Sequence, residues 1–469
     1  MSAELLISAS PGELRAALVA AGDLIDFRLA RTVGGSLLGA IYLGRVLRLL
    51  PALDAALVEI GLERPAYLGA ADALPRGDLA GLTEGAAILV QVKRDARADK
   101  AAAVSMRPRL VGRLLEWTPM RSGIAVDAVE VRARKRLESA VAGALAAGEG
   151  VRLLPAATHA PTEALAAEIA ALRARWAAIA ARRGDATSPA CLERVPPLAA
   201  LLAEFVDERL QRIVVDDAAL LAEARAWLAR ERPASTAAVE PHRAATALFE
   251  AHGVAESIAA LGDLRVRLPG GGALIIEPMA TVTFIDVDSG ALAEERRSGE
   301  EALLAVNVEA AAEIARQIRW RGLAGAIVVD FITLRRSAAK ERLLAALRGA
   351  LDAGAIEAQL LGWTKLGHVE LIRPRRQAPL HEILYERGPQ GGQVKSALTV
   401  ALEALAAAER QIAATPAAAV TLRVHPAVAE ALQGVAAPAL QRLETRSGRG
   451  LAILAEPSRA RDGFDIGAV

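Results

Sequence analysis

Two stretches of this chain decide its fold: PGGGALIIEPMATVTFIDVDSG at residues 269–290 and GAIVVDFI at residues 325–332. The first stretch reads as a β-hairpin whose second strand ends at Asp286–Asp288, and the second reads as a short apolar strand. A helix is expected between them, at about Glu301–Arg321. Strand, helix and strand in this order predict a βαβ unit, whose two strands run parallel in one sheet.

The aspartates that close these strands predict a metal site. Asp286 ends one strand and Asp330 ends the next, so both carboxylates are expected at the carboxyl edge of the sheet, where open α/β sheets usually place their sites. Asp288 points the same way as Asp286, because side chains on a strand alternate with a period of two. Neighbouring carboxylates repel each other unless a cation lies between them, and hard oxygen ligands suit Mg²⁺. Strand-terminal aspartates also cap helices or form turns, and the spacing alone leaves both interpretations open.

The composition is that of a globular protein with several domains. The chain has 469 residues, of which 53% are hydrophobic and 24% charged, enough to bury large cores. A formal net charge of +1 argues against a partner held by bulk charge alone. The single cysteine, Cys191, excludes an internal disulfide and a cysteine-rich zinc site. No apolar run reaches the roughly 18 uncharged residues of a membrane helix, and the first residues lack a signal-peptide pattern, so a cytoplasmic protein is expected.

Outside the βαβ unit the character of the sequence changes several times. Residues 1–35 predict strands around one helix near Pro11–Ala21. Residues 36–110 contain short strands bounded by Gly, Pro and Asp, which predict a small Greek-key barrel. The run at 164–183 has apolar residues at helical spacing and predicts a long helix. The Gly/Pro-rich ERGPQGGQ at 386–393 reads as a linker to a final small domain.

The core segments resemble a known nuclease family. IIEPMATVTFIDVDSG (275–290), NVEAAAEIARQIRWRGLAGAIVVDFI (307–332) and LGHVELIRPRR (366–376) resemble, in order and spacing, the catalytic core of ribonucleases E and G. The resemblance covers most of the chain. It includes the family's start at ELLISASPGELRAAL (4–18) and a segment of the ribonuclease G branch at VHPAVAEAL (424–432).

The resemblance implies an α/β multidomain protein: a ribonuclease-H-like scaffold with inserted OB-fold and 5′-sensor domains, a DNase-I-like catalytic subdomain and a small C-terminal α/β domain. The implied ribonuclease-H-like subdomain has two parts, 1–35 and 199–262. Between them lie the OB-fold RNA-binding domain at 36–110 and the 5′-sensor-like domain at 111–198. The DNase-I-like catalytic subdomain follows at 263–385, then a linker lacking zinc ligands at 386–393 and the small C-terminal domain at 394–469.

The resemblance also implies a chemistry. It is that of a magnesium-dependent endoribonuclease which cuts single-stranded, A/U-rich RNA to 5′-phosphate and 3′-hydroxyl ends, in rRNA processing or mRNA decay. Asp286 and Asp330 fall on the family's magnesium ligands, and Asp288 falls where the family has an asparagine that helps orient the reaction. An aspartate there keeps an oxygen but adds a negative charge and loses the amide donor. The alternative is a paralogue that binds RNA and cuts it weakly or not at all.

Besides Asp288, the sequence departs from the family at three sites: the zinc link, the 5′ sensor and an aromatic position of the OB-fold. The family's zinc link is missing, since no cysteine lies near the 386–393 linker, so no zinc is expected and any homo-oligomer would not be bridged by zinc. The arginine–threonine pair that grips a 5′ monophosphate falls on Leu154 and Pro155, whose side chains donate no hydrogen bond. Arg152 lies two residues away, on the same face of the strand. Partial substitution by Arg152 is conceivable, and loss of 5′ sensing is expected.

Besides Arg152 in the 5′ sensor, RNA contacts are expected in three places. Tyr67 keeps an aromatic residue in the OB-fold, whereas Leu57 stands at its other aromatic position. Basic residues follow on one edge, and Arg373 is either an RNA-backbone contact or a solvated surface charge. The six histidines are given no role. The predicted RNA-binding residues are Tyr67, Lys93, Arg94, Lys100, Arg152 and Arg373.

Overall fold

The computed structural model divides the chain into two compact units, Met1–Gly35 with Phe205–Val469, and Ser36–Glu204. The structure describes residues 3–74, 77–96, 100–126, 131–154, 157–158, 160–207, 209–233, 235–279, 281–290, 299–375, 377–388, 392–415 and 420–468. Within these ranges, no helix combines the length and apolar character that a membrane crossing requires.

The first residues form three antiparallel strands, β1 (Ala3–Ser10), β2 (Glu13–Ala20) and β3 (Asp23–Arg31). The helix predicted near Pro11–Ala21 is therefore wrong. Its residues form β2, which pairs with both neighbours. Two tight turns explain the difference, since Gly12 and Gly22 both have a φ of 86°, a conformation that glycine adopts without strain and that closes short hairpins. The apolar spacing of this alanine-rich segment is compatible with a helix, and the flanking turns decide for the strand.

In the second unit, five strands close into a barrel. They are β4 (Ile41–Leu50), β5 (Ala55–Glu59), β6 (Ala66–Gly69), β7 (Ala87–Arg94) and β8 (Ala103–Ser105). Their order is β4-β5-β6-β8-β7, and pairing of β4 with β7 completes the ring. Buried aliphatic residues from alternate strand positions fill its interior. The predicted small barrel is confirmed as an OB-like closed sheet.

The remainder of the second unit is a smaller sheet covered by helices. Its elements are β9 (Leu110–Val111), β10 (Leu115–Thr118), β11 (Gly123–Val126), α1 (Val131–Ala142), β12 (Gly150–Leu153), α2 (Thr162–Asp185), β13 (Ala190–Glu193) and α3 (Pro197–Phe205). The sheet order is β11-β12-β10-β9, whereas β13 pairs with β4 of the barrel. The long helix predicted at 164–183 is confirmed as α2. Its buried Leu165 and Ile169 pack in one core with Trp117 of β10.

The first unit resumes with two parallel additions to its opening sheet. These elements are β14 (Leu210–Val215), α4 (Ala218–Glu231), β15 (Ala238–Pro241), α5 (Leu248–Ala251) and α6 (Ala255–Ala259). β14 pairs with β1 and β15 pairs with β14, both in parallel. The completed mixed sheet has the order β15-β14-β1-β2-β3. Asp217 caps α4, accepting hydrogen bonds from the N–H groups of Ala219 and Leu220.

A second sheet in this unit contains the βαβ motif. Its elements are β16 (Arg265–Arg267), β17 (Ala273–Pro278), β18 (Val282–Asp288), α7 (Glu300–Trp320), β19 (Gly325–Asp330), α8 (Ser337–Ala353), β20 (Gln359–Trp363) and β21 (Val369–Arg373). The order is β16-β17-β18-β19-β21-β20. The predicted hairpin, helix and parallel strand are confirmed, since β17 and β18 pair antiparallel and β18 and β19 parallel.

Alternation along the central strands gives this sheet two different faces. Ile285, Val287, Ile327 and Val329 are buried in one core with residues of α7 and α8. The residues between them point to the opposite face, because successive strand side chains alternate. That face carries Asp286, which is only half-buried. The helices thus cover one side of the sheet, and the acidic residues lie on the other.

Contacts at the end of α7 join the two sheets of the first unit. Arg319 Nε lies 2.8 Å from Asp26 Oδ2, and the indole N–H of Trp320 donates to the carbonyl of Ile25 at 3.0 Å. Asp26 is buried, so its charge is matched by partners rather than by water. The strands that open the chain therefore support the helix that carries the βαβ crossover.

The end of the chain forms a hairpin and a small α/β domain. Its elements are α9 (Leu380–Leu384), β22 (Tyr385–Arg387), β23 (Gln393–Lys395), α10 (Ala397–Ala414), β24 (Val420–Val424), α11 (Pro426–Gln433), α12 (Ala437–Ser447), β25 (Leu451–Ala455) and β26 (Phe464–Ala468). A linker was predicted at 386–393. In the structure both ends of this segment belong to the antiparallel pair β22–β23. Gln393 donates to the carbonyl of Pro278 at 2.9 Å, and Arg461 pairs with Glu386, so the hairpin is tied on both sides.

Candidate active site

Asp286 and Asp330 are direct neighbours on parallel strands. In the register of β18 and β19, Asp286 is the partner of Asp330. Side chains of paired residues on adjacent strands point to the same face, so both carboxylates share the face opposite the helices. The side chain of Asp330 is 44% exposed. The structure thus brings together the two aspartates that the sequence singled out, on a surface that a solute can reach.

Asp286 and Asp330 are part of a row of register partners that runs across neighbouring strands of the sheet. Ile275 of β17 pairs with Asp286, and Arg265 of β16 pairs with Ile275. Arg265, Ile275, Asp286 and Asp330 therefore form one line across four strands. The row places a guanidinium at one end of an acidic cluster, a proximity that comes from strand pairing and is invisible in the local sequence.

His368 lies at the other end of this row, although no role was predicted for it from the sequence. Its Nε2 atom is 3.7 Å from Oδ2 of Asp330, and its ring meets Phe284 edge-on, with centroids 5.7 Å apart. The hydroxyl of Thr364 accepts a hydrogen bond from the backbone N–H of His368 and so fixes the turn between β20 and β21. The missing signal was topological: β21 runs antiparallel to β19, so the residue before β21 returns to the end of β19.

The electrostatics at Asp286 reflect crowded negative charge. Partial burial raises the pKa of the Asp286 carboxyl above its ordinary value, and the negative charges of Asp330 and Asp288 raise it further. A raised pKa means that the ionised form is disfavoured in the folded protein. A cation between Asp286 and Asp330 would relieve that repulsion.

Asp288 has a different environment from Asp286. Its Oδ1 accepts a hydrogen bond from the backbone N–H of Gly290 at 2.9 Å, and its Oδ2 accepts one from Nη2 of Arg265 at 2.9 Å. The N–H of Gly290 and the guanidinium of Arg265 hold the pKa of Asp288 below its ordinary value. The added charge expected at this position is therefore present, and it is paired with Arg265.

The residues present fit a magnesium ion held mainly by water and phosphate. Over the described ranges, no group of three or more His, Cys, Asp or Glu side chains is arranged to hold a metal by itself. Mg²⁺ usually keeps several waters and binds through one or two carboxylates plus substrate phosphates. Asp286 and Asp330 supply two such carboxylates side by side. Their hard oxygen atoms and mutual repulsion suit that ion.

A buried asparagine anchors the segment that follows Asp330. Asn307 on α7 is fully buried. Its Nδ2 donates to the carbonyl of Ile332 at 2.8 Å, and its Oδ1 accepts from the N–H of the same residue at 3.0 Å. Both polar groups of one backbone residue are thus satisfied by a single side chain. This anchor lies two residues after Asp330 and fixes the exit of β19.

The predicted RNA contacts of the barrel belong to the second unit. Tyr67 on β6 is 36% exposed and pairs directly with Leu57 of β5. The tyrosine ring therefore lies beside Leu57, which occupies the second aromatic position expected from the family resemblance. Lys93 forms an ion pair with Asp72. Arg94 and Lys100 are exposed. Their role in RNA binding stays a prediction.

The predicted 5′ sensor has an acidic residue in its sheet. Arg152 of β12 pairs with Glu116 of β10, and its Nη1 lies 4.0 Å from a Glu116 carboxylate oxygen. Glu116 is largely buried and lies 3.9 Å from Arg109 as well. Leu154 is half-buried and donates its N–H to the carbonyl of Leu114, whereas Pro155 lies outside the described residues. A phosphate bound at Arg152 would therefore have to compete with Glu116.

Arg373 is turned toward the protein. Its Nη1 donates to the carbonyls of Ile318 and Leu323, at 3.1 and 2.9 Å. These carbonyls lie near the end of α7, where helix carbonyls lack partners within the helix. The structure thus gives Arg373 a packing function at the α7–β19 turn. Its contact with RNA stays a prediction.

Comparison with known proteins identifies the family. The sequence profile of the ribonuclease E/G family matches residues 109–376. Ribonuclease G of Salmonella typhimurium (strain SL1344) is 30% identical to this chain, and Ribonuclease G of Escherichia coli (strain K12) is 29% identical, each over 99% of both chains. Ribonuclease E of Nostoc sp. is 31% identical over 78% of this chain and 55% of that protein. By the extent of these matches, this chain belongs to the ribonuclease E/G family.

Proposed function

We propose that this chain is a magnesium-dependent endoribonuclease that cleaves single-stranded, A/U-rich RNA and leaves 5′-phosphate and 3′-hydroxyl ends. One observation carries the proposal: Asp286 and Asp330 are register partners on the exposed face of the second sheet of the first unit. Family membership supports the same activity. The corresponding cellular role would be rRNA processing or mRNA decay, in the cytoplasm.

The proposed mechanism assigns a task to each group on that face. Asp286 and Asp330 would hold the ion, while α7 and the Asn307 anchor keep β19 in place. When bound, magnesium makes a water molecule more acidic and neutralises charge on the scissile phosphate. His368 lies beside Asp330 and limits the directions in which that carboxylate can turn. Separately from that face, Tyr67 of the barrel in the second unit would offer a stacking surface for one base, worth about 1–3 kcal/mol.

The domain architecture proposed with this function follows the sheet orders. The sequence of strands β3-β2-β1-β14-β15 supports a ribonuclease-H-like scaffold, and the closed barrel supports an OB-fold inserted between its two parts. The sheet that carries the aspartates would be the DNase-I-like subdomain. No zinc is proposed, and any homo-oligomer would form through other surfaces.

The deciding experiment is internal cleavage of a short, 5′-monophosphorylated, A/U-rich RNA by the purified full chain. Cleavage with Mg²⁺ and none with excess EDTA is the expected result, and product-end analysis should give a 5′ phosphate and a 3′ hydroxyl. A chain that binds this RNA but leaves it intact under varied metals would contradict the proposal. It would favour an RNA-binding paralogue, an alternative that the altered 5′ sensor and the extra charge at Asp288 support.

The altered sensor predicts that cleavage depends little on the RNA 5′ end. Leu154 donates no side-chain hydrogen bond, and Arg152 already pairs with Glu116. We expect kcat/KM for 5′-monophosphate and 5′-hydroxyl versions of one RNA to agree within about threefold, because no charge-assisted bond to the phosphate is gained. The comparison is made at one ionic strength, since phosphate contacts are salt-dependent. A preference above tenfold for the monophosphate would show that Arg152 or another cation replaces the missing pair.

A further inference from the structure

The acidic face at the proposed active site has a built-in counter-charge. Three carboxylates, those of Asp286, Asp288 and Asp330, lie at the ends of two adjacent strands. Arg265 reaches from β16 across β17 to Asp288, with 2.9 Å between Nη2 and Oδ2. Arg267 lies on the same strand and is also exposed. The ion pair with Asp288, however, is made by Arg265.

Charge balance explains what this contact does for an approaching RNA. Three carboxylates carry one negative charge more than a single divalent cation neutralises. The incoming phosphodiester is itself negative, so like charges would oppose its approach. The positive charge of Arg265 cancels the excess. The guanidinium also holds the Asp288 carboxylate toward β16, on the side of β18 away from Asp330.

We infer that Arg265 is a positioning residue of this site, which acts through Asp288 to admit the RNA phosphate. The inference rests on the proposed function and adds a group that local motifs do not reveal. Its partner chemistry is a phosphodiester of single-stranded RNA. A purely structural role is the competing explanation, although exposed ion pairs contribute little to stability. The two explanations differ in what removal of the Asp288 charge does.

A double-mutant cycle separates them. Arg265→Ala is made in the wild-type background and in Asp288→Asn, and each form is assayed for cleavage and for binding of a 2′-O-methyl RNA that cannot be cut. Binding is measured with Mg²⁺ present, the state to which the charge balance applies, and the uncleavable RNA keeps this readout independent of catalysis. Arg267→Ala is the matched control, because it removes the same charge from the same strand.

The expected result is coupling between Arg265 and Asp288. Arg265→Ala should weaken RNA binding and kcat/KM by about five- to tenfold when Asp288 is present, and by less than about twofold when asparagine replaces it, a coupling in the range of directly contacting residues. Arg267→Ala should show no dependence on residue 288. Thermal unfolding of all forms should agree within a few degrees, which excludes misfolding as the cause.

Each other outcome has a defined meaning. If Arg265→Ala has the same effect in both backgrounds, the inference is overturned. If wild type binds RNA with the expected coupling yet does not cleave, the inference stands and the nuclease proposal fails. If wild type cleaves and the coupling is absent in both readouts, the nuclease proposal stands and Arg265 is a surface ion pair.

Discussion

Replacing Asp286 with asparagine is expected to lower RNA cleavage about a thousandfold at saturating Mg²⁺, because a metal site that loses a charged ligand loses several kcal/mol of transition-state stabilisation. Asparagine has nearly the same shape as aspartate, so the sheet should form unchanged. Cleavage is measured under single-turnover conditions, which separate the chemical step from product release. Asp352→Asn on the exposed side of α8 is the matched control, and it should cleave like wild type.

The same variant should be no less stable than wild type without metal. Burial and the neighbouring carboxylates raise the folded-state pKa of Asp286, so between its unfolded value of about 3.9 and the raised one the native protein binds more protons than the unfolded chain. Stability of the metal-free protein therefore falls as pH rises through that window. Asp286→Asn removes this loss.

Thermal unfolding tests both consequences. The midpoint of metal-free Asp286→Asn should equal or exceed that of wild type at neutral pH, and Mg²⁺ should raise the wild-type midpoint more than that of the variant, since a ligand stabilises the state that binds it. A variant that cleaves normally would contradict the site. A variant that melts well below wild type would show instead that Asp286 holds the fold together.

Much of this fold could be predicted from local sequence patterns. The βαβ unit was predictable because its strands are apolar runs bounded by Gly and Asp and its helix has apolar residues at helical spacing. The segment 11–21 was not, because its Ala- and Leu-rich pattern suits either structure and two glycine turns decide between them. The strand pairing at the ends of the 386–393 segment was not predicted either, because a hairpin with few apolar residues resembles a linker in sequence.

The aspartates of the candidate site could be predicted from the sequence, whereas the residues that strand pairing brings next to them could not. Asp286, Asp288 and Asp330 stand at strand ends, and the alternation of side chains along a strand makes these positions recognisable in the sequence. Arg265 joins them through the antiparallel pairing of β16 with β17, and His368 through that of β21 with β19. An aspartate in place of asparagine suggested an unbalanced charge, whereas the structure supplies a guanidinium for it.

Loss of the Asn307 side-chain hydrogen bonds is expected to have the second large effect. Asn307→Leu keeps the branching of the buried side chain at Cγ but makes it larger. It leaves the N–H and C=O of Ile332 without their present partner. Each buried polar group left unpaired costs about 1–3 kcal/mol, so a local destabilisation of about 2–6 kcal/mol is expected for the two groups. Val308→Ala, at the next and partly exposed position of α7, is the control, and surface changes of this kind usually stay within about 0.5 kcal/mol.

Hydrogen exchange is the appropriate measurement, because a chain with two compact units need not unfold in one step. The amide of Ile332 donates directly to Asn307, so peptides covering 326–336 should exchange faster in Asn307→Leu, while peptides of the barrel should not change. Since the loosened segment follows Asp330, kcat should fall at least about tenfold, as a displacement near 1 Å can cost a hundredfold, while binding of uncleavable RNA stays near the wild-type value. Unchanged exchange together with unchanged kcat would show that α7 holds β19 by apolar packing alone, and that the buried asparagine is dispensable for positioning the metal site.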